Sequence, residues 1–137
     1  MLDRPALLVR VEDVNGAVGW GEVWCNFPSC GAEHRAQLLQ STVAPLVVGQ
    51  PFMSARQAFD LMSARTAVLA IQAGEPGPIA QVIAGIDIAI WDLMARRAGL
   101  PMWQFLGGSS GAIKVYASGI NPDQAVDTVL TKYVEGH

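Results

Sequence analysis

The sequence is short of charge and contains no run of one sign. Only 15% of its 137 residues are charged, the formal net charge is −3, and the nine lysines and arginines are scattered along the chain. A protein that binds nucleic acid or an anionic membrane surface through a basic patch needs such residues clustered. We therefore expect neither nucleic acid nor a membrane among the partners of this chain.

Targeting and metal-binding patterns are also lacking. Gln81, Asp87 and Asp92 interrupt the longest apolar segment before it reaches the roughly 18 residues of a membrane span. The N-terminus, MLDRPALLVRVED, does not have the pattern of a signal peptide. Cys25 and Cys30 have no second Cys or His pair to complete a zinc site. We expect two reduced thiols and a cytoplasmic location.

Length limits the architecture. A chain of 137 residues is near the usual size of one domain, and a complete (β/α)8 barrel takes about 250 residues. With 51% hydrophobic residues the chain has enough apolar side chains to form a core. Composition alone does not separate a small-molecule enzyme from an interaction domain.

A β-hairpin is predicted over residues 6–23, where apolar and polar residues alternate. Asn15 and Gly16 stand between the two strands, and both tolerate the positive φ of a two-residue type I′ turn. A hairpin alone is only marginally stable, so a third strand or a helical layer should cover it. No third strand is visible before residue 6, and the first strand of the sheet therefore looks missing.

Three helices follow in the sequence. The first is predicted over 32–43, and the second begins at Ser54, with Gln57 at the capping-box spacing. Its predicted inward stripe is Phe59, Met62, Thr66 and Leu69. GEPGP (74–78) predicts a loop. The third helix, 79–98, is apolar nearly all round and should be central; Gly99 and Pro101 end it, and a short helical turn is expected over 103–106.

The C-terminal part predicts one β/α unit. Residues 112–119 alternate as a strand, and Asn121 and Pro122 are typical of a helix start, with that helix ending near Gly136. A single unit of this kind belongs to a parallel sheet. One such unit cannot pair with itself, so the chain resembles part of a larger domain.

Three stretches resemble the mandelate racemase/muconate lactonising enzyme group of the enolase superfamily. They are GWGE (19–22), VAPLVVGQ (43–50) and GIDIAIWDLMARRAGLPMWQFLGG (85–108). The resemblance implies an α+β fold: residues 1–108 as an enolase-like N-terminal capping domain, a β-hairpin or meander packed on a helical bundle. It implies that residues 109–137 are the first β/α unit of an incomplete (β/α) barrel.

The family's chemistry is implied in the same way. In such enzymes a base removes the proton next to a carboxylate, and Mg²⁺ stabilises the enediolate that forms. The outcome is racemisation, epimerisation, dehydration or cycloisomerisation of a small carboxylate or sugar acid. This chain has no Lys-x-Lys and no counterpart of the three metal-binding carboxylates. We therefore assign it no catalytic residue and no metal ligand, and we expect it to be inactive alone.

Candidate substrate contacts lie in two places. Trp24, Asn26 and Phe27 follow the hairpin, where family members place a mobile loop over the substrate; the alternative is that both aromatic rings pack under the helices. Ser118 lies near the C-terminal end of the predicted barrel strand, the end at which barrel active sites are built.

Other polar residues are assigned structural roles. Asp87 and Asp92 project about 140° apart around their helix and cannot share a ligand. Asp92 has Arg96 at i+4, and Asp87 needs a hydrogen-bonding partner near the apolar face. His34 is expected to be a solvated side chain.

A rival interpretation assigns the chain the same fold but no part in catalysis. The chain would then be a non-catalytic capping or interaction domain that pairs with itself or with another chain. Under either interpretation an unpaired strand edge and an uncovered apolar face favour association. We therefore expect a homo-oligomer.

Overall fold

The computed structural model describes residues 5–115, in which a hairpin lies on a helical layer. The elements in chain order are β1 (Leu7–Glu12), β2 (Val18–Val23), α1 (Gly31–Leu38), α2 (Ala55–Gln72), α3 (Pro76–Arg97) and α4 (Met102–Phe105). Helix α3 contacts both strands and the other three helices. The predicted α+β class, with the third helix at the centre, is confirmed.

The hairpin has a longer connection than predicted. Strands β1 and β2 are antiparallel, with Glu12 opposite Val18 and Leu7 opposite Val23. The Gly16 N–H donates to the Asp13 carbonyl at 3.0 Å, and Gly16 alone has a positive φ, 84°. This is a type I turn followed by a left-handed residue, so the type I′ prediction is wrong.

The Asp13 side chain explains this turn. Its Oδ1 accepts the backbone N–H groups of Asn15 and Ala17, both at 2.9 Å. Such a local bond from Asp mimics a backbone turn and fixes Asn15 at negative φ. Oδ2 of the same carboxylate lies 3.2 Å from Nη1 of Arg97, which ties the turn to the end of α3.

Strand β2 lies unusually close to α3. A Cβ atom on Gly19 or on Gly21 would collide with backbone atoms of α3, at Ala89 for the first and at Gly85 for the second. Both glycines are buried. Because no side chain separates strand from helix, the two backbones meet directly, and only glycine fits at these positions.

Helix α3 begins earlier than predicted. Gly74 has φ 68°, Glu75 is the N-cap, and Pro76 occupies the first helical position, where the lack of an N–H costs nothing. Part of the predicted loop is therefore helical. The helix end is confirmed, because Gly99 has φ 67°. The buried residues of α3 are Ile79, Val82, Ile83, Gly85, Ile86, Ala89, Leu93 and Ala95.

Two apolar residues of α3 lie outside this core. Ile88 is exposed, so one side of the helix faces solvent although its residues are apolar. Trp91 is half-buried and packs edge-on against Phe105 of α4, with 6.0 Å between ring centroids. The short α4, close to its predicted position, therefore closes one side of α3.

Helix α2 confirms the predicted cap and corrects the predicted stripe. The Ser54 hydroxyl accepts the Gln57 N–H at 3.2 Å, and Gln57 Oε1 accepts the Met53 N–H at 3.0 Å. The buried residues are Ala55, Ala58, Met62, Thr66 and Ala70. Phe59 and Leu69, predicted to point inward, are exposed. Small alanines are buried instead, and α2 packs against α3.

The first helix does not continue to residue 43 in one form. Its α-helical part ends at Leu38, a π-helical turn covers Leu39–Val43, and a 3-10 turn covers Ala44–Leu46. The Ser41 hydroxyl donates to the Gln37 carbonyl at 2.6 Å. Side-chain bonds of this kind compete with the helical backbone pattern and bend helices.

The predicted β/α unit falls almost entirely outside the described residues. Residues 109–115 have no strand pairing with the rest of the described chain. The remainder of the strand predicted over 112–119 and the helix predicted from Asn121 lie beyond residue 115. The boundary of 108/109 between a capping domain and a barrel segment thus stays a prediction.

Candidate functional site

The loop after β2 carries the predicted substrate contacts. Trp24 is 50% exposed and Phe27 is 58% exposed, while Asn26 is half-buried. The two rings lie 6.3 Å apart between centroids at an angle of 54°. Both rings are therefore open to solvent as a pair rather than packed under the helices. Ser118, the fourth candidate, lies outside the described residues.

The strand that precedes the loop determines these orientations. Side chains alternate between faces along β2, so Val23 and Cys25 are buried while Trp24 points outward. The Cys25 thiol donates to the Pro5 carbonyl at 3.4 Å. The start of the loop is thereby fixed to the N-terminal part of the described chain.

The end of the loop is fixed as well. The Gly31 N–H donates to the Pro28 carbonyl at 2.8 Å, and the peptide bond between Phe27 and Pro28 is cis. A Cβ on Gly31 would lie 2.5 Å from the Cys25 carbonyl oxygen. The two ends of the loop therefore touch each other, at Cys25 and Gly31. Trp24 and Phe27 lie on a loop whose ends are held together.

A polar cluster lies where α1 meets the start of α3. Arg35 is only 6% exposed; its Nε donates to Gln81 Oε1 at 3.0 Å, and its Nη1 to His34 Nδ1 at 3.2 Å. His34 Nε2 lies 3.0 Å from Glu75 Oε1. A guanidinium can only donate, so Nδ1 of His34 accepts and Nε2 carries the proton toward Glu75.

Sequence reasoning missed this cluster. His34 was expected to be solvated, but it is half-buried between Arg35 and Glu75. The His34–Glu75 contact joins residues 41 positions apart, and no local pattern signals it. These bonds hold the first turn of α1, directly after the loop, to the N-terminus of α3. We assign the cluster to holding the base of the loop in place.

The two aspartates of α3 act separately, as predicted. Asp92 Oδ2 accepts the Arg96 Nε–H at 2.7 Å and also the Trp20 backbone N–H at 2.9 Å. The second bond was not foreseen, because it depends on the close approach of β2. Burial raises the pKa of Asp87, and a weaker hydrogen bond from Trp91 opposes that change.

The loop after β2 forms an uncharged contact surface with two exposed aromatic rings. Within residues 5–115 no group of three His, Cys, Asp or Glu side chains could hold a metal ion. Residues 24–30 carry no charged side chain. A shallow cavity lined by Pro45, Leu46, Gln50, Leu61 and Arg65 shares no residue with the loop. What the loop can do chemically is to cover a ligand and exclude water from it.

Comparison with known families identifies the fold. The family described as mandelate racemase/muconate lactonizing enzyme, N-terminal domain, matches residues 1–107. The chain belongs to this family. The resemblance inferred from GWGE and from the 85–108 segment is confirmed, and the hairpin on helices is its N-terminal capping domain.

Curated relatives are longer enzymes. A relative from Caldivirga maquilingensis, named for L-rhamnonate dehydratase activity, is 31% identical over 121 residues, covering 88% of this chain and 28% of its own length. The 3,6-anhydro-alpha-L-galactonate cycloisomerase of Streptomyces coelicolor is 29% identical over 132 residues, covering 96% and 35%. The chain thus spans about a third of the length of these proteins.

Solved structures agree. A mandelate racemase/muconate lactonizing enzyme from Bordetella bronchiseptica is 64% identical, with a TM-score of 0.87 over 97% of this chain and 37% of the other. A racemase from Streptomyces coelicolor, solved with bound magnesium, is 28% identical with a TM-score of 0.74, over 93% and 36%. The capping fold is thereby shown at both high and low sequence identity.

Proposed function

We propose that this chain forms the substrate-covering part of a Mg²⁺-dependent enzyme that removes the proton next to a substrate carboxylate. The reaction would yield a racemised, epimerised, dehydrated or cycloisomerised small carboxylate or sugar acid, in the cytoplasm. One observation carries the proposal. This chain, which belongs to the family, holds two exposed aromatic rings, Trp24 and Phe27, on a loop whose two ends touch each other.

Within this proposal the described residues position the substrate and enclose it. Exposed aromatic rings at the tip of a loop are suited to contact the apolar faces of a ligand and to displace water from it. The amide of Asn26 adds a donor and an acceptor for hydroxyl groups. Because residues 24–30 are uncharged, the loop fits the part of the substrate distant from its carboxylate. Ser118 is proposed as a further contact on sequence grounds alone.

The base and the Mg²⁺ ligands are assigned to the barrel part of a full-length enzyme. When bound, the metal would stabilise the enediolate that proton removal forms. The capping residues would act through selectivity and closure, as lids do in other enzymes. The chain alone is accordingly proposed to be inactive.

Isotope exchange tests whether proton removal requires the barrel part in addition to this chain. The chain is incubated with Mg²⁺ and a panel of α-hydroxy and sugar acids in D₂O, and loss of the α-proton signal is followed by NMR. We expect no exchange with the chain alone. We expect exchange when residues 1–107 replace the corresponding segment of the Bordetella bronchiseptica protein, whose remaining residues are kept.

Two results would contradict the proposal. Metal-dependent exchange by the purified chain alone would mean that a base and a metal site lie within it. A folded chimera that exchanges no substrate of the panel, while the Bordetella protein does, would favour the rival function as a non-catalytic interaction domain.

A further inference from the structure

The loop after β2 has no charge of its own with which to bind an anion. Residues 24–30 are all uncharged, and the two large side chains that they expose, Trp24 and Phe27, are aromatic. The face of an aromatic ring carries the negative part of its quadrupole, so it attracts C–H groups and disfavours a carboxylate. A carboxylate pressed against these rings would lose its hydration without gaining an opposite charge.

The nearest charged side chain before the loop is negative. Glu22 precedes Trp24 by two residues, and both side chains are exposed. Side chains two residues apart along a strand lie on the same face, about 7 Å from each other. A ligand group in contact with the Trp24 ring therefore lies near a carboxylate of the protein, which repels a second carboxylate.

Two arginines lie on elements next to the loop, and both have other partners. Arg35 of α1 is only 6% exposed and donates to two side chains of the polar cluster. Arg10 of β1 lies opposite Trp20 and pairs with Glu12 at 2.7 Å, toward the turn of the hairpin. Position 20 precedes Trp24 by four residues, or about 13 Å of extended strand. Arg35 is thus enclosed, and Arg10 is held away from the aromatic rings.

The N-terminus of α1, which follows the loop directly, is also poorly suited to a carboxylate. A helix N-terminus attracts anions through its dipole and its unbonded N–H groups. Here the Gly31 N–H already donates to the Pro28 carbonyl at 2.8 Å, and Glu33 places a negative charge in the first turn. Residues 24–33 therefore offer a ligand neutral and negative side chains and no positive one.

We propose that this loop selects substrates with a single carboxylate, whose far end is uncharged, and rejects dicarboxylates. Among sugar acids the selected class is the aldonates, which end in a hydroxymethyl or methyl group. The rejected class is the aldarates, which carry a carboxylate at both ends. The inference rests on the proposed function, in which the loop covers the end of the substrate distant from the reacting carboxylate. The Asn26 amide can bond the hydroxyl groups that both classes share.

Matched pairs of acids test the proposal. An aldonate and the aldarate of the same configuration differ only at the terminal carbon, so a difference in rate reports the charge at that end. The chimera that carries residues 1–107 is assayed with several such pairs by exchange of the α-proton in D₂O. We expect kcat/KM to be at least about tenfold higher for the aldonate, because an unpaired or repelled charge in an enclosed site is costly.

Variants of the loop test whether the aromatic rings and Glu22 cause this preference. Trp24→Arg should raise the ratio of aldarate to aldonate kcat/KM by about tenfold or more, because it supplies the missing opposite charge. Glu22→Gln should raise the same ratio by about threefold, because it removes a like charge. Trp103→Arg, at an equally exposed tryptophan of α4, is the matched control and should leave the ratio unchanged. A ratio within one variant cancels any general loss of activity.

The outcomes separate this inference from the proposed function. Exchange of aldarates at least as fast as aldonates would overturn the inference, while the exchange itself would uphold the proposed function. An unchanged ratio in both Trp24→Arg and Glu22→Gln would likewise overturn it. A folded chimera inert toward every acid, while the Bordetella protein is active, would refute the proposed function and this inference with it.

Discussion

The two faces of β2 differ in almost every respect. Toward α3 the strand presents Gly19, Gly21 and Val23, all buried and in close contact with the helix backbone. Toward solvent it presents Trp20 and Glu22, and Trp24 continues that face into the loop. The inward face uses the smallest residues to bring backbones together, and the outward face leaves large apolar surface uncovered.

This difference separates folding from function along one strand. Buried close contacts fix the position of β2 on α3, and with it the position of the loop that follows. The exposed aromatic residues add little to that packing. Exposed apolar surface beside a fixed framework is typical of a site that contacts something else. We therefore expect substitutions on the inward face to lower the stability of the fold, and substitutions on the outward face to weaken the contact with a ligand.

The largest effect is expected on the inward face. Gly21→Ala should lower the free energy of unfolding by about 3 kcal/mol, because its Cβ would meet backbone atoms of Gly85 and Ala89, which cannot rotate away. Gly77→Ala is the matched control. Position 77 lies in the first turn of α3 with nothing within 4 Å, so this change should stabilise by about 0.5 kcal/mol. Urea denaturation of both variants measures the contrast.

A smaller loss is expected at the bond that ties β2 to α3. Asp92→Ala removes the acceptor of the Trp20 N–H and the partner of Arg96. A hydrogen bond to a charged group is worth about 2 kcal/mol, so unfolding should be easier by about that amount. Asp60→Ala, which removes only an exposed i,i+4 pair with Arg56, should cost under about 0.5 kcal/mol. Equal losses in the two variants would show that the Asp92–Trp20 bond contributes nothing.

The carboxyl of Asp87 should make the stability of the fold depend on pH. Burial raises the pKa of Asp87 in the folded chain, so folding favours the protonated form. The charged form therefore costs stability above the folded pKa, and the cost disappears as the pH falls below the unfolded value of roughly 3.9. Asp87→Asn should raise the Tm at pH 7, with the gain shrinking toward pH 3. A gain that persists unchanged at pH 3 would contradict this explanation.

The smallest effect on stability is expected on the outward face. Trp24→Ala and Phe27→Ala should each change the free energy of unfolding by less than about 0.5 kcal/mol, as surface changes do. Val23→Ala, one position earlier and fully buried, should cost about 2 kcal/mol. If the loop variants destabilise as much as Val23→Ala, the rings serve the fold rather than a ligand.

Local patterns in the sequence predict much of this fold. The alternation in β2, the apolar repeat of α3 and the Ser54 cap depend on neighbouring residues, and all three are confirmed. The turn was mispredicted because the Asp13 side chain, two residues before Asn15, decides its geometry. Phe59 was misplaced because helical periodicity does not show that α2 packs through alanines.

The candidate site also has one part that local sequence patterns predict and one part that they do not. The exposed position of Trp24 follows from strand alternation, and its neighbours in the loop come with it. The Arg35, His34 and Glu75 cluster joins distant parts of the chain. Its contacts arise only when α1 and α3 pack, so no local pattern in the sequence indicates them.

Steady-state kinetics of the loop variants in the chimera test the central claim most directly. One apolar contact with a substrate is worth roughly 1–3 kcal/mol in discrimination. We expect Trp24→Ala and Phe27→Ala each to lower kcat/KM at least about tenfold with an unchanged Tm, while Trp103→Ala, an equally exposed tryptophan of α4, leaves kcat/KM unchanged. An unaltered kcat/KM in both loop variants would contradict the claim that this loop covers the substrate.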